Sequence, residues 1–232
     1  MRILRILLGL AFCLGFFVSR NVAADLNGRI VITKKITRKR VTLPAYQLRG
    51  AQSAPEMDNP GDDNELRDVV VFLEGKISSA GEPVQKELPQ RNRRFDPRLL
   101  VVPVGSTVSF PNEDPVFHNV FSLSKAKQFD LGYYPAGQTR VVKFNEPGIV
   151  QVYCHLHSNM YAAIVIVPNR WYTRPADDGT FSLTGIPPGR YEMVAWHMSG
   201  GLFRKEVTIP ETGDADVVIQ MTVHDHDPGP GH

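Results

Sequence analysis

Apolar residues along this chain fall into short blocks separated by proline and glycine, and no stretch sustains a 3.6-residue apolar period. Runs rich in Val, Ile, Phe and Thr mark strands over residues 29–33, 69–73, 99–102, 107–110, 139–144, 149–153, 162–167, 180–183, 191–196, 205–209 and 216–223. Residues 122–129 have room for a helical turn. The pattern predicts an all-β chain of the sandwich or barrel class. Between the first two strands, residues 51–65 are rich in Pro, Asp, Asn and Gly and almost devoid of apolar side chains, the mark of a long exposed loop or a disordered segment. Residues 34–40 (KKITRKR) read either as a docking patch for an acidic partner or as a charged edge strand or solvated loop. Arg91, Arg93, Arg94 and Arg98 form a second basic group with the same two readings.

One apolar block breaks this rhythm. Arg2 and Arg5 precede an apolar run over 6–18, and Val22-Ala23-Ala24 offers small residues for cleavage before Asp25. That is the make-up of a secretory signal peptide over residues 1–24. The run is too short to span a bilayer, and no later segment approaches the roughly 20 apolar residues of a spanning helix. The mature chain is therefore expected to be periplasmic or secreted, without a membrane span. The leader carries three arginines and no acid, so the 26 basic and 24 acidic residues of the whole chain become 23 and 24. A nearly neutral chain of this kind is not expected to bind nucleic acid. Cys13 departs with the leader, and the bulky Phe12 before it speaks against a lipoprotein site. Cys154 is then alone in a compartment that favours disulfides. It reads as a small buried hydrophobe, as an intermolecular bridge, or as a thiolate held by a metal.

The sequence around it is YCHLHSNM. Cys154, His157 and Met160 form a Cys-x2-His-x2-Met loop between the strands predicted at 149–153 and 162–167. Soft sulfur with imidazole selects copper or zinc over hard cations, and two histidines and a cysteine with a weak axial methionine are the donor set of electron-transfer copper. His118 supplies the second histidine, in the proline-flanked stretch FPNEDPVFHNV after the strand predicted at 107–110. Glu113 and Asp114, close by in sequence, read as polar loop residues.

FDPRLLVVPVGSTVSFPNEDPVFHNV, followed by PGIVQVYCHLHSNM, resembles a cupredoxin of the plastocyanin, azurin and amicyanin group over residues 92–168, with a ligand loop most similar to that of amicyanin. The resemblance implies a Greek-key β-sandwich with one type 1 copper ion. His118, Cys154 and His157 would be its strong equatorial ligands and Met160 the weak axial one. It also implies an imidazole edge of His157 at the surface, within an apolar ring for which Phe117, Met160 and Tyr161 are candidates. Two positions depart from the family pattern. His155 stands where Ser or Thr usually shares hydrogen bonds with the asparagine after the first histidine, here Asn119, and Ser158 stands where a proline usually adjoins the second histidine. His155 also resembles the cysteine-adjacent histidine of multicopper oxidases, but strand alternation turns it away from the copper side, as a structural or surface residue.

A second resemblance follows. DDGTFSL over 177–183, GIPPG over 185–189 and the run to Trp196-His197 are similar to the carboxypeptidase regulatory-like, or transthyretin-like, β-sandwich. Its predicted strands are too few to bury a core, so the strands at 29–33 and 69–73 are expected to complete it, with the copper domain inserted between them; the alternative is an N-terminal extension packed on the cupredoxin. The expected organisation is then a signal peptide at 1–24, an N-terminal segment at 25–88 that lends strands to the second sandwich, a cupredoxin domain at 89–168, the smaller sandwich at 169–223 and a disordered tail at 224–232. His197 is read as core and rim rather than ligand. The whole is similar to secreted bacterial proteins labelled methylamine utilization proteins. The implied function is single-electron carriage to or from a redox protein such as a c-type cytochrome or a periplasmic dehydrogenase. The alternatives are copper carriage or storage, and a secreted interaction module with a structural copper domain. No enzyme activity is expected, because four protein ligands leave no open position on copper and no triad, carboxylate pair or phosphate loop is evident.

Overall fold

The computed structural model describes residues 23–36, 64–75 and 80–224. The predicted leader, the C-terminal tail, most of 51–65 and the end of the basic stretch 34–40 lie outside these residues. Among the described residues there are no α-helices, and none of their helices is long and apolar enough to cross a membrane. The all-β expectation holds.

The strands in chain order begin with β1 (Ala24–Ile36), β2 (Val69–Glu74), β3 (Gln85–Glu87), β4 (Gln90–Arg91), β5 (Arg94–Phe95) and β6 (Leu99–Pro103). Next come β7 (Thr107–Pro111), β8 (His118–Ser124), β9 (Lys127–Tyr134), β10 (Thr139–Lys143), β11 (Gly148–Tyr153) and β12 (Tyr161–Val167). The last are β13 (Tyr172–Thr173), β14 (Thr180–Ile186), β15 (Gly189–His197), β16 (Gly201–Ile209) and β17 (Ala215–His224). The helical turn expected at 122–129 is instead the end of the β8–β9 hairpin, in which Ser124 pairs with Lys127 across Lys125-Ala126. Ser122 is buried and Leu123 exposed, so the side chains alternate across a sheet rather than sharing one helical face.

Four sheets stack in two sandwiches. β10-β7-β3 faces β6-β12-β11-β8-β9 across an apolar interior that includes Phe110, Phe144, Val152 and Ile164. β14-β1-β17 faces β13-β2-β15-β16 across a second interior that includes Leu26, Ile30, Leu73 and Met193. Thus β2 pairs with β15, and β1 lies between β14 and β17, parallel to β17. The strands before β3 are thus completed by those after β12. Lys34, Lys35 and Ile36 continue β1 along β17, so the first part of the basic stretch is paired strand.

A third apolar layer joins the two sandwiches back to back. Strands that serve it are buried on both faces, and their sequences are unbroken apolar runs rather than alternating ones. In β12, Ala162, Ile164 and Ile166 face the first interior while Ala163, Val165 and Val167 face the shared layer. In β15, Met193 and Ala195 face the second interior while Val194 and Trp196 face the shared layer. Each buried Val, Ile or Met among them contributes about 1.5–3 kcal/mol by leaving water.

His197, fully buried at the end of β15, accepts at Nδ1 from the backbone N–H groups of Ser199 (3.1 Å) and Gly200 (3.0 Å). Its Nε2 lies 3.1 Å from the carbonyl oxygen of Glu65, so it donates there and ties the β15–β16 turn to the short 3-10 turn Glu65–Asp68. Burial holds its pKa below the ordinary 6.5, against the opposing pull of Glu65 and Asp68. The folded state thus prefers the neutral ring, and below pH 6.5 the unfolded chain binds more protons. Stability is expected to fall as pH is lowered through that value, and less steeply in a His197→Gln variant. Thermal melts across the range check this, and parallel pH profiles for the two proteins would sink it.

Candidate metal centre

The β11–β12 hairpin presents one side of the site. Its register pairs Tyr153 with Tyr161, leaving Cys154 to Met160 as the connecting loop. The N–H of Cys154 donates to the carbonyl of Met160 (3.2 Å), and the N–H of Met160 donates to that of His157 (3.0 Å). These two bonds close the loop and turn the residues at its ends and middle inward. Cys154 and Met160 are 5% and 1% exposed and belong to the same core cluster. His118, at the first position of β8, is wholly buried.

Cys154 Sγ lies 3.9 Å from His118 Nδ1 and 3.8 Å from His157 Nδ1. All three ligand atoms fall within 4.8 Å of one another. Bonds of about 2.3 Å to sulfur and 2.0 Å to nitrogen in a trigonal plane require an S···N separation of about 3.7 Å, close to both of the S···N distances here. The two imidazoles meet edge to face, with centroids 4.8 Å apart. Burial, with His118 and Arg93 nearby, holds the His157 pKa below its ordinary value, which leaves a nitrogen lone pair available near neutral pH.

What fixes His118 was not read from the sequence. Its Nε2 lies 2.8 Å from Asp114 Oδ2, and Asp114 is itself buried. Asp114 is therefore a buried loop residue rather than a solvated one. Asn112 turns it inward, accepting at Oδ1 from the Asp114 N–H (3.0 Å) while donating through Nδ2 to the carbonyls of Val116 and Tyr134. The Asp114 carboxylate also accepts the N–H groups of Asn92 (2.6 Å) and Arg93 (2.7 Å). Those residues form the two-residue turn between β4 and β5, both at positive φ (55° and 56°), so that successive N–H groups converge on one anion. Burial raises the Asp114 pKa, but the bonds from Arg93, His118 and Asn92 outweigh it and hold the carboxyl below its ordinary value. The readable signal was an aspartate four residues before a candidate ligand histidine.

The altered bridge at His155 proves to be a substitution of donor. The backbone N–H of His155 donates to Asn119 Oδ1 (2.7 Å), so the contact between the two ligand segments needs no side chain at 155. Asn119 Nδ2 donates in turn to Asp130 (3.0 Å). The His155 ring stacks on Phe121 at 3.8 Å with 2° between planes, nearly half exposed and turned away from the three-atom site. Around His157, Phe117 and Leu156 are about half exposed. Met160 is buried, and Tyr161 is partly buried beside the shared layer, its hydroxyl accepting from Arg98 (2.7 Å). Met160 is thus no surface residue, whereas Phe117, next to His118 in the chain, and Leu156, next to His157, are exposed.

No family model and no curated protein matches this chain. It is similar to a purple cupredoxin from Nitrosopumilus maritimus, with 26% identity and a TM-score of 0.32, over 36% of this chain and 99% of that one. It is also similar to a copper-containing nitrite reductase from Thermus scotoductus SA-01, with 20% identity and a TM-score of 0.36, over 59% of this chain but 28% of that one. A reduced tryptophan-to-tyrosine mutant of amicyanin shows 17% identity and a TM-score of 0.33, over 42% and 98% of the two chains.

Proposed function

We propose that the protein is a periplasmic or secreted electron carrier that holds one copper ion at His118, Cys154 and His157, with Met160 as weak axial ligand. The observation that carries this reading is the triangle of one thiol sulfur and two Nδ1 atoms, buried at Cys154 and His118 and partly buried at His157. Its donor chemistry suits copper, and the buried methionine favours copper over a closed zinc site. Copper bound there would supply one-electron chemistry between Cu(I) and Cu(II).

The chain's own residues hold the donors in place and exclude water. Cys154 and His118 are fixed by strand ends and by buried hydrogen bonds, so both oxidation states meet nearly the same ligand positions. His157 lies nearest solvent and would offer the electron port, framed by the exposed Phe117 and Leu156. A redox protein such as a c-type cytochrome or a periplasmic dehydrogenase would dock on that apolar rim. With four protein ligands, no position is left for a substrate, so we read the site as a carrier rather than a catalyst.

The test is a redox cycle on copper-loaded mature protein. Reduction by ascorbate and reoxidation by ferricyanide should consume one electron per chain, with copper retained throughout. Release of copper on reduction would overturn electron carriage in favour of transport or storage of the ion.

A further inference from the structure

The carboxylate that faces the buried ligand imidazole has no structural need to be there. A backbone carbonyl or a water would satisfy one ring N–H. Instead the fold brings an anion into a buried position and gathers three N–H groups around it: those of Asn92 and Arg93, and the ring of His118. The left-handed backbone of the two-residue turn aims two successive N–H groups at this one carboxylate. Asn112 is spent on aiming the same carboxylate.

We propose that Asp114 is a positioning residue that sets the oxidation-state preference of the copper site: by accepting the Nε2–H of His118 it directs Nδ1 toward Cys154, and by its charge it makes that imidazole a stronger donor. The proposal rests on the copper reading above. A more electron-rich ligand set favours the more highly charged ion, so Asp114 shifts the balance of affinities toward Cu(II) and lowers the reduction potential. Glu113 is a built-in contrast. Its carboxylate, one residue away, pairs instead with Arg91 at 2.6 Å on the surface and has no contact with His118.

An asparagine at 114 keeps the shape but not the chemistry. Its amide has one acceptor oxygen, and its NH2 group must face one of the three N–H donors. Loss of an outer partner typically costs about 10–100-fold in metal affinity. If only about tenfold of that falls selectively on Cu(II), the midpoint potential rises by about 59 mV for a one-electron couple.

The experiment compares the parent, Asp114→Asn and Glu113→Gln. On metal-free protein, 15N NMR of the histidine rings should find His118 in the Nε2–H tautomer in the parent, and that preference weakened in Asp114→Asn. On copper-loaded protein, the potential should rise in Asp114→Asn and stay at the parental value in Glu113→Gln. An Nδ1–H tautomer in the metal-free parent overturns the proposal even if the variant fails to fold. A parental potential in a folded Asp114→Asn, or an equal rise in Glu113→Gln, overturns it too. A parent that binds no copper defeats the copper reading instead, and the tautomer measurement tells the two failures apart.

Discussion

A Cys154→Ser variant exposed to Cu(II) is expected to lack the intense thiolate-to-copper absorption band that the parent develops, and to bind copper far more weakly. On the proposed reading the sulfur would bind copper as a soft thiolate, and a serine hydroxyl is neither soft nor ionised near neutral pH. The two Nδ1 atoms would remain, but each was positioned 3.8–3.9 Å from that sulfur and not for a two-coordinate ion. Removing a direct ligand should cost more than the roughly 10–100-fold lost with an outer hydrogen bond. The fold should survive, because serine replaces one small buried side chain at the end of β11. Visible absorption and competition with a copper chelator check the expectation. Equal binding in parent and variant would leave Cys154 as a buried thiol and remove the basis for electron carriage.

The second large effect lies far from the site. Leu26, fully buried on β1, pairs with Leu183 of β14 on one side and Ala215 of β17 on the other. Leu26→Asp removes an apolar side chain, a change of about 2–5 kcal/mol on truncation alone. It also places a carboxylate among Ile30, Leu183 and Met193 with no partner in sight. Against a total stability of about 5–15 kcal/mol, the second sandwich is expected not to hold. Asn27→Ser, the next residue and on the opposite face of the strand, should change stability by no more than about 0.5 kcal/mol. Denaturant melts followed by circular dichroism distinguish the two, and a parental midpoint for Leu26→Asp would mean that β1 does not complete this sandwich in solution.

The grouping of His118, Cys154 and His157 was legible because two of the three fall within one short loop and His118 follows a strand in a proline-flanked turn. Asp114 was not, because loop acids are usually solvated, and only the inward turn made by Asn112 shows otherwise. Most of the longer strands were legible as apolar runs, though β8 was not, and a run such as AAIVIV does not say whether one face or two is buried. The shared layer emerged only when Val165 and Val167 were seen to face Val194 and Trp196 across two sheets. The short strands β3, β4, β5 and β13 left no apolar signature, since their residues are mostly exposed or partly buried and their place is set by neighbours. Strand β9 escaped because its inward positions are polar-flanked and only partly buried until Tyr134. His155 was placed on the correct side by alternation alone, while its backbone bond to Asn119 could not be read from its side chain.

The parallel pairing of β1 with β17, from Leu26 with Ala215 to Ile36 with His224, has a kinetic consequence. Hairpins such as β8–β9 and β11–β12 close over short distances, whereas this pairing must wait for nearly the whole chain, and contacts of such separation form slowly. Loop-closure entropy grows only logarithmically with length, so the intervening unit loses little by folding ahead of its host. Refolding should therefore assemble the ligand-bearing sandwich early, while the two ends of the chain meet last and act as the clasp of the finished molecule.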